Sequence, residues 1–125
     1  MPTLTLTQAR RLALHAQLLD GKTRLPRGKA GVRHVIRHLG YVQIDTIAIV
    51  ARAHHCTLWS RLPDYDPAAL DELQAIDRAI FEYWGHAASF LPADDVAFYR
   101  HRMKAHRNPR PPWEQKQWEK AQPIA

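Results

Sequence analysis

An amide and a carboxylate stand two residues apart in Tyr41-Val42-Gln43-Ile44-Asp45-Thr46, separated by one apolar residue. The segment alternates, with Val42 and Ile44 on one side and Tyr41, Gln43 and Asp45 on the other. That is the pattern of a short strand with one wet face. On such a strand Gln43 and Asp45 project to the same side, roughly 6–7 Å apart along the backbone. A carboxylate so placed can stabilise a developing cation and take a proton from an attacking water. A neighbouring amide both donates and accepts, so it can hold that water. The plainer reading of Asp45 is a helix N-cap ahead of Ile47 or a salt bridge to a nearby arginine, and of Gln43 an exposed strand residue.

Other side chains with chemical potential lead less far. His54, His55 and Cys56 are consecutive, and three such residues on a helix span about 200° of its circumference, so they do not converge on one ion. His34 and His38 have the i, i+4 spacing of a zinc pair, but no third ligand accompanies them at a metal spacing. Neither a metal nor a cofactor is expected. His54 and His55 read either as polar packing beside the motif or as phosphate contacts. His86, in the Trp84-Gly85-His86 turn, could reach the same site but reads in preference as a buried structural histidine. The aromatics Phe81, Tyr83, Trp84 and Phe90 read as core in preference to base-stacking wedges. Cys56 is a lone cysteine and makes no internal disulfide, which fits a reducing, cytoplasmic setting.

The charge is unevenly placed along the 125 residues. Lys and Arg number 18 against 12 Asp and Glu, a net +6. Residues 1–62 carry ten basic and two acidic residues, residues 63–95 one and eight, and residues 96–125 seven and two. A basic front nearly free of carboxylates is the footprint of a polyanionic partner, most often nucleic acid. Arg33 and Arg37, at i, i+4, form a basic helix face that can track phosphates, as can Arg10, Arg11, Lys22, Lys29 and Arg52. Asp20 and Asp45 are the two acids in that front, and each needs an explanation. The composition, 46% hydrophobic and 24% charged, suits a folded globular chain. No apolar run approaches the roughly 20 residues that span a bilayer.

The elements that must position these groups follow from periodicity. Thr7 is a candidate N-cap for a helix to about Leu19, with Leu12, Ala16 and Leu19 on one face and Asp20-Gly21 ending it. Residues 21–31 hold three Gly, one Pro and four basic residues and read as a loop. A second helix runs from about Ala30 to Leu39, ended by Gly40. After the strand, Ile47, Val50, Ala51 and Leu58 return to helical spacing between Thr46 and Trp59, with Ile47 to Val50 ambiguous between helix and strand. Asp66-Pro67 pairs an N-cap with a proline at the first helical position and leads into Ala68–Ile76. Residues 78–91, rich in aromatics, suggest a strand pair or an extended segment, with a bend at Gly85. Pro92 opens a last helix with Val96, Tyr99 and Met103 on one face. The expected fold is mainly α with a small β part, an α+β chain built on a winged-helix-like unit over residues 1–107. Residues 108–125 read as a Pro-rich linker and the start of a truncated helix, as of a chain that once continued.

Several motifs in order sharpen this reading. Tyr41 to Thr46 is followed by Val50-Ala51-Arg52-Ala53-His54-His55 and Leu58-Trp59-Ser60-Arg61-Leu62. Tyr65-Asp66-Pro67 and Phe81-Glu82-Tyr83-Trp84-Gly85-His86-Ala87-Ala88-Ser89 come next. Over about residues 7–107 the chain resembles the bacterial winged-helix DNA glycosylases that unhook interstrand crosslinks and remove bulky N-alkylated purines. The resemblance implies the N-terminal part of a tandem winged-helix protein and a catalytic Gln-apolar-Asp motif, carried here by Gln43, Ile44 and Asp45. It implies a double-stranded DNA partner with alkylated or crosslinked purines, and a monomer associated with the nucleoid. No lysine lies in the motif to act as a Schiff-base nucleophile, so simple hydrolysis to an abasic site is expected. Two other readings compete: a winged-helix transcription regulator without catalysis, and an inactive fragment.

Overall fold

The computed structural model describes residues 3–45 and 50–106, in a larger unit ending at Ala93 and a shorter one starting at Asp94. In the larger unit, α1 spans Leu6–Ala16. Its N-cap is Thr5 and not Thr7, because Gln8 three residues on closes a capping box. The Gln8 N–H donates to Thr5 Oγ1 at 3.2 Å, and the Thr5 N–H donates to Gln8 Oε1 at 2.9 Å. The helix stops before Leu19 because Leu18 turns left-handed (φ 57°). That conformation is unfavourable for a residue with a Cβ, and burial of the Leu18 side chain offsets it.

The second helix, α2, spans Gly28–Leu39 and starts two residues earlier than its periodicity suggested. Val32, Val35 and Ile36 lie at helical spacing and are fully buried. Gly31 lets the first turn approach the preceding loop closely. A Cβ there would run into the Pro26 carbonyl oxygen and press on Leu62. Gly40 ends α2 with φ 82°, its N–H donating to the Ile36 carbonyl.

The strand β1 is short, Val42–Gln43, with Val42 buried and Gln43 exposed. Of the helical stretch expected from Thr46 to Trp59, residues 46–49 lie outside the described residues, and α3 takes up Ala53–Trp59. Val50 is 97% exposed ahead of it and joins no apolar face. The start at Asp66 holds: α4 spans Pro67–Ala75, capped by Asp66 Oδ1 accepting from the Ala68 N–H at 3.0 Å. The strand pair is present as β2, Ile80–Trp84, and β3, Ala88–Pro92, with the bend at residues 85–87. Pro92 closes β3 and does not open a helix, its ring fixing an extended-compatible φ at the strand end.

The three strands form one antiparallel sheet in the order β1-β3-β2. Helices α2 and α4 pack together, α2 against β3, α4 against β2, and α3 against β1. Ile36, Leu58, Leu70 and Leu73 meet between these layers, each at most 2% exposed. The succession α2, β1, α3, α4, β2, β3 is compatible with a winged-helix-like unit, with α3 and α4 as the helix pair and the β2–β3 hairpin as the wing.

The shorter unit contains α5, Val96–Ala105, after a 3₁₀ turn at Ala93–Asp95. Val96, Tyr99 and Met103 are its partly covered residues, and Phe98 is 81% exposed. The expected linker and truncated helix at 108–125 lie outside the described residues.

Candidate functional site

The register of the sheet decides which side chains keep company with Gln43. Val42 pairs with Phe90 and Gln43 with Ser89, and Ser89 pairs in turn with Tyr83. Residues directly opposite one another share a face, so Gln43, Ser89 and Tyr83 form one row across the sheet. Val42 and Phe90 form the next row on the reverse face, where both are buried. The ladder continues past β1, since the Ile44 N–H donates to the Ala88 carbonyl at 2.8 Å. Ile44 packs against the core from its partly buried position. Asp45 follows, half-buried, two residues after the exposed Gln43.

Beneath this edge lies a cluster of aromatic rings. His54 packs edge-on against Phe90, with centroids 5.6 Å apart, and lies 4.2 Å from the ring of His55. His55 Nδ1 and the Tyr65 hydroxyl share a hydrogen bond of 2.8 Å, and Trp59 Nε1 donates to the Tyr65 carbonyl at 3.0 Å. Burial pushes the Tyr65 phenol well above its usual range. His54 is only 4% exposed. The expectation of His54 as a phosphate contact is therefore corrected: its ring is enclosed beside Phe90 and does not reach a surface-bound backbone. His55 is half-buried and engaged with Tyr65, which corresponds to the packing alternative. For His54 the signal in the sequence was the i, i+4 spacing to Leu58, which is also buried.

Two further expectations change. His86 is exposed at the hairpin tip, where the tight turn leaves no room to enclose it. Trp84, read as core, is 64% exposed at the end of β2, whereas Phe90 is core as expected.

Among the candidate phosphate contacts, Arg10, Arg11, Arg33, Arg37 and Arg52 are exposed. Lys29 is engaged elsewhere: its ammonium lies 2.8 Å from Asp77 and 3.1 Å from Glu72, and these carboxylates raise its pKa. His38, half of the i, i+4 pair, has Nε2 2.8 Å from the Ala16 carbonyl, a contact that ties α2 to the end of α1. Arg61, which sequence reasoning did not single out, donates to the carbonyls of Gln17 at 2.9 Å and Thr57 at 2.7 Å. Asp20 has a structural explanation. It accepts from the backbone N–H groups of Lys22 and Thr23 and pairs with His15 at 2.8 Å, which holds its carboxyl far below the usual range. A cleft of about 490 Å³ runs between residues 18–27 and 60–64, and neither Gln43 nor Asp45 lines it. Among the described residues no three His, Cys, Asp or Glu side chains gather as a metal site.

A family model described as DNA glycosylase AlkZ-like matches residues 36–125. The match begins inside α2 and takes in β1, both helices of the α3–α4 pair, the hairpin and α5. No solved structure matches the chain.

Proposed function

The chain belongs to the AlkZ-like DNA glycosylase family, which makes DNA its partner and hydrolysis of a base–sugar bond its chemistry, and from that premise we propose that Gln43 and Asp45 perform the hydrolysis. The substrates in this reading are purines made cationic by N-alkylation, including those in interstrand crosslinks. The observation that supports it is the ladder continuing through Ile44, which sets an exposed amide and a carboxylate two residues apart at the sheet edge. An alkylated purine carries positive charge and leaves as a neutral base, so the leaving group needs little assistance. The barrier lies at the sugar, where C1′ becomes cationic. Asp45 stabilises that charge and accepts a proton from the incoming water, and Gln43 holds the water. The product is an abasic site, with the strand intact and no covalent enzyme intermediate.

The regulator reading requires α4, the second helix of the pair, to enter a groove between phosphates. Instead α4 carries Asp71 and Glu72 and no basic residue. The test is single-turnover release of N7-methylguanine from duplex DNA by the protein, measured beside equilibrium binding. Asp45→Asn keeps the side chain's shape and removes its charge. Release should fall by about 10²–10³-fold, or roughly 3–4 kcal/mol. Affinity should stay equal or rise slightly, because an acid facing phosphates is lost. Near-normal release would end the catalytic assignment, and a parallel loss of binding would make Asp45 structural.

A further inference from the structure

The helix α5 carries Arg100, His101, Arg102 and Lys104, all exposed, and no acid between Val96 and Ala105. The helix macrodipole accounts for part of this. Cations are favourable in a last turn, where Arg102 and Lys104 stand, and Asp94 and Asp95 complement the other end. That effect falls off within one turn, so it does not account for Arg100 and His101. At 3.6 residues per turn Val96, Tyr99 and Met103 share the partly covered side. Ala97, Arg100, His101 and Lys104 fall together on about 100° of the remaining circumference, and Phe98 and Arg102 lie on the opposite flank. Arg100 and Lys104 are thus i, i+4 neighbours of like charge, an arrangement that destabilises a solvated helix. Among the described residues no carboxylate forms an ion pair with either. Ala97, one turn earlier on the stripe, carries only a methyl group, so nothing beside the cations holds a backbone away. A stripe of cations with no acid and no large apolar residue is complementary to a row of phosphates and not to an apolar groove.

We propose that α5 is a DNA-anchoring element in its own right, laid along one phosphate backbone of the duplex with Arg100, His101 and Lys104 against its phosphates. The inference goes beyond the hydrolysis assigned to Gln43 and Asp45 and needs only duplex DNA as the partner. The planar Arg100 guanidinium forks onto two oxygens of one phosphate. Lys104, about 6 Å further along the axis, meets a neighbouring phosphate as a point charge. His101 lies between them and offers a ring nitrogen to the same backbone. Contacts of this kind fix where the chain sits on the duplex without reading its sequence. They are separate from those of the basic front, since Arg33 and Arg37 belong to α2 in the larger unit and α5 belongs to the shorter one.

Two measurements with a short undamaged duplex test this. The first is equilibrium binding across a salt series for wild type, for Arg100→Gln combined with Lys104→Gln, and for the charge-preserving pair Arg100→Lys and Lys104→Arg. Each phosphate contact contributes about 0.9 to the slope of log affinity against log salt, so the neutralised pair should lower the slope by about two. Between about 50 and 200 mM salt it should lose about tenfold less affinity than wild type does. The charge-preserving pair should keep the wild-type slope. So should Lys29→Ala, the control for net charge alone, because that cation is already engaged by Glu72 and Asp77. A wild-type slope in the neutralised pair overturns the proposal, as does a failure of wild type to bind the duplex at low salt. The second measurement needs no variant. Acetylation of Lys104 by an amine-reactive reagent, followed by mass spectrometry, should slow severalfold when the duplex is bound, and an unchanged rate overturns the proposal. Neither measurement reads base release, so the catalytic reading of Gln43 and Asp45 can fail while this one stands.

Discussion

At the scale of single residues, the chain distinguishes acids and histidines that serve the fold from those that surround the Gln43–Asp45 edge. Asp20 and Asp45 are the two acids of the basic half, and Asp20 serves the local structure as the acceptor of two backbone N–H groups. Gln43→Ala should slow base release less than Asp45→Asn does, because Asp45 alone still holds the water imperfectly. Single-turnover rates for the two variants, measured side by side, check the order. Burial of His54 also has a consequence for stability. Its folded pKa lies below the unfolded value of about 6.5, so between the two the unfolded chain binds the proton and the folded chain does not. Stability is therefore full above about pH 6.5 and is eroded as pH falls toward the folded value. Urea midpoints taken from pH 8 to pH 5 should drop less steeply in His54→Phe, which keeps an aromatic ring against Phe90 and has nothing to titrate. Equal slopes would show that His54 is not the group being protonated.

At the scale of elements, the helix ends and the sheet register carry the site. Gly31 brings the start of α2 against the Pro26 carbonyl, and the loop backbone cannot yield as a side-chain end would. Gly31→Ala should destabilise the chain by about 1–3 kcal/mol, the range for overpacking, read from its urea midpoint. A change under a few tenths would mean that the loop moves freely away. The helix α4 was legible from Asp66-Pro67 alone because its cap and its proline act within one turn. The strand β1 was legible in its alternation and not in its extent. Val42 is buried and Gln43 exposed as the pattern requires, but pairing depends on how far β3 runs alongside, and β3 begins at Ala88. The spacing from Ile47 to Val50 was ambiguous by itself, and Val50 is 97% exposed ahead of α3.

At the scale of the whole chain, charge is segregated along the sequence, and DNA affinity should fall steeply as salt rises through lost counterion release. Arg33 and Arg37 are exposed on α2, while Lys29, one turn before Arg33, is bound to Glu72 and Asp77. Arg33→Ala combined with Arg37→Ala should reduce the slope of log affinity against log salt by about two. Lys29→Ala should leave the slope nearly unchanged and instead loosen the contact between α2 and α4. A salt series on the wild-type protein and both variants separates these effects. A flat wild-type dependence would remove the electrostatic argument altogether. The acidic α4 points the same way, since a helix bearing Asp71 and Glu72 is repelled by the phosphates that a groove-reading helix must pass between.

What the sequence determined by itself is whatever depends on neighbours in the chain: the alternation about Gln43 and Asp45, the start of α4, the left-handed stop at Gly40, the hairpin bent at residues 85–87 and the basic front. The ordered motifs also sufficed to suggest the family, because type and spacing together are a linear pattern. Tertiary structure alone decided burial and partnership. Whether His54 faces phosphate or Phe90, whether Lys29 is open or bound to α4, and whether Trp84 enters the core depend on surfaces brought together from distant segments. Lys29 meets a carboxylate 43 residues away. The physical reason is common to all three. A side chain's type and local spacing set what it can do, while its solvent exposure and its charged neighbours, which select among those roles, exist only once the sheet and helices have closed around it.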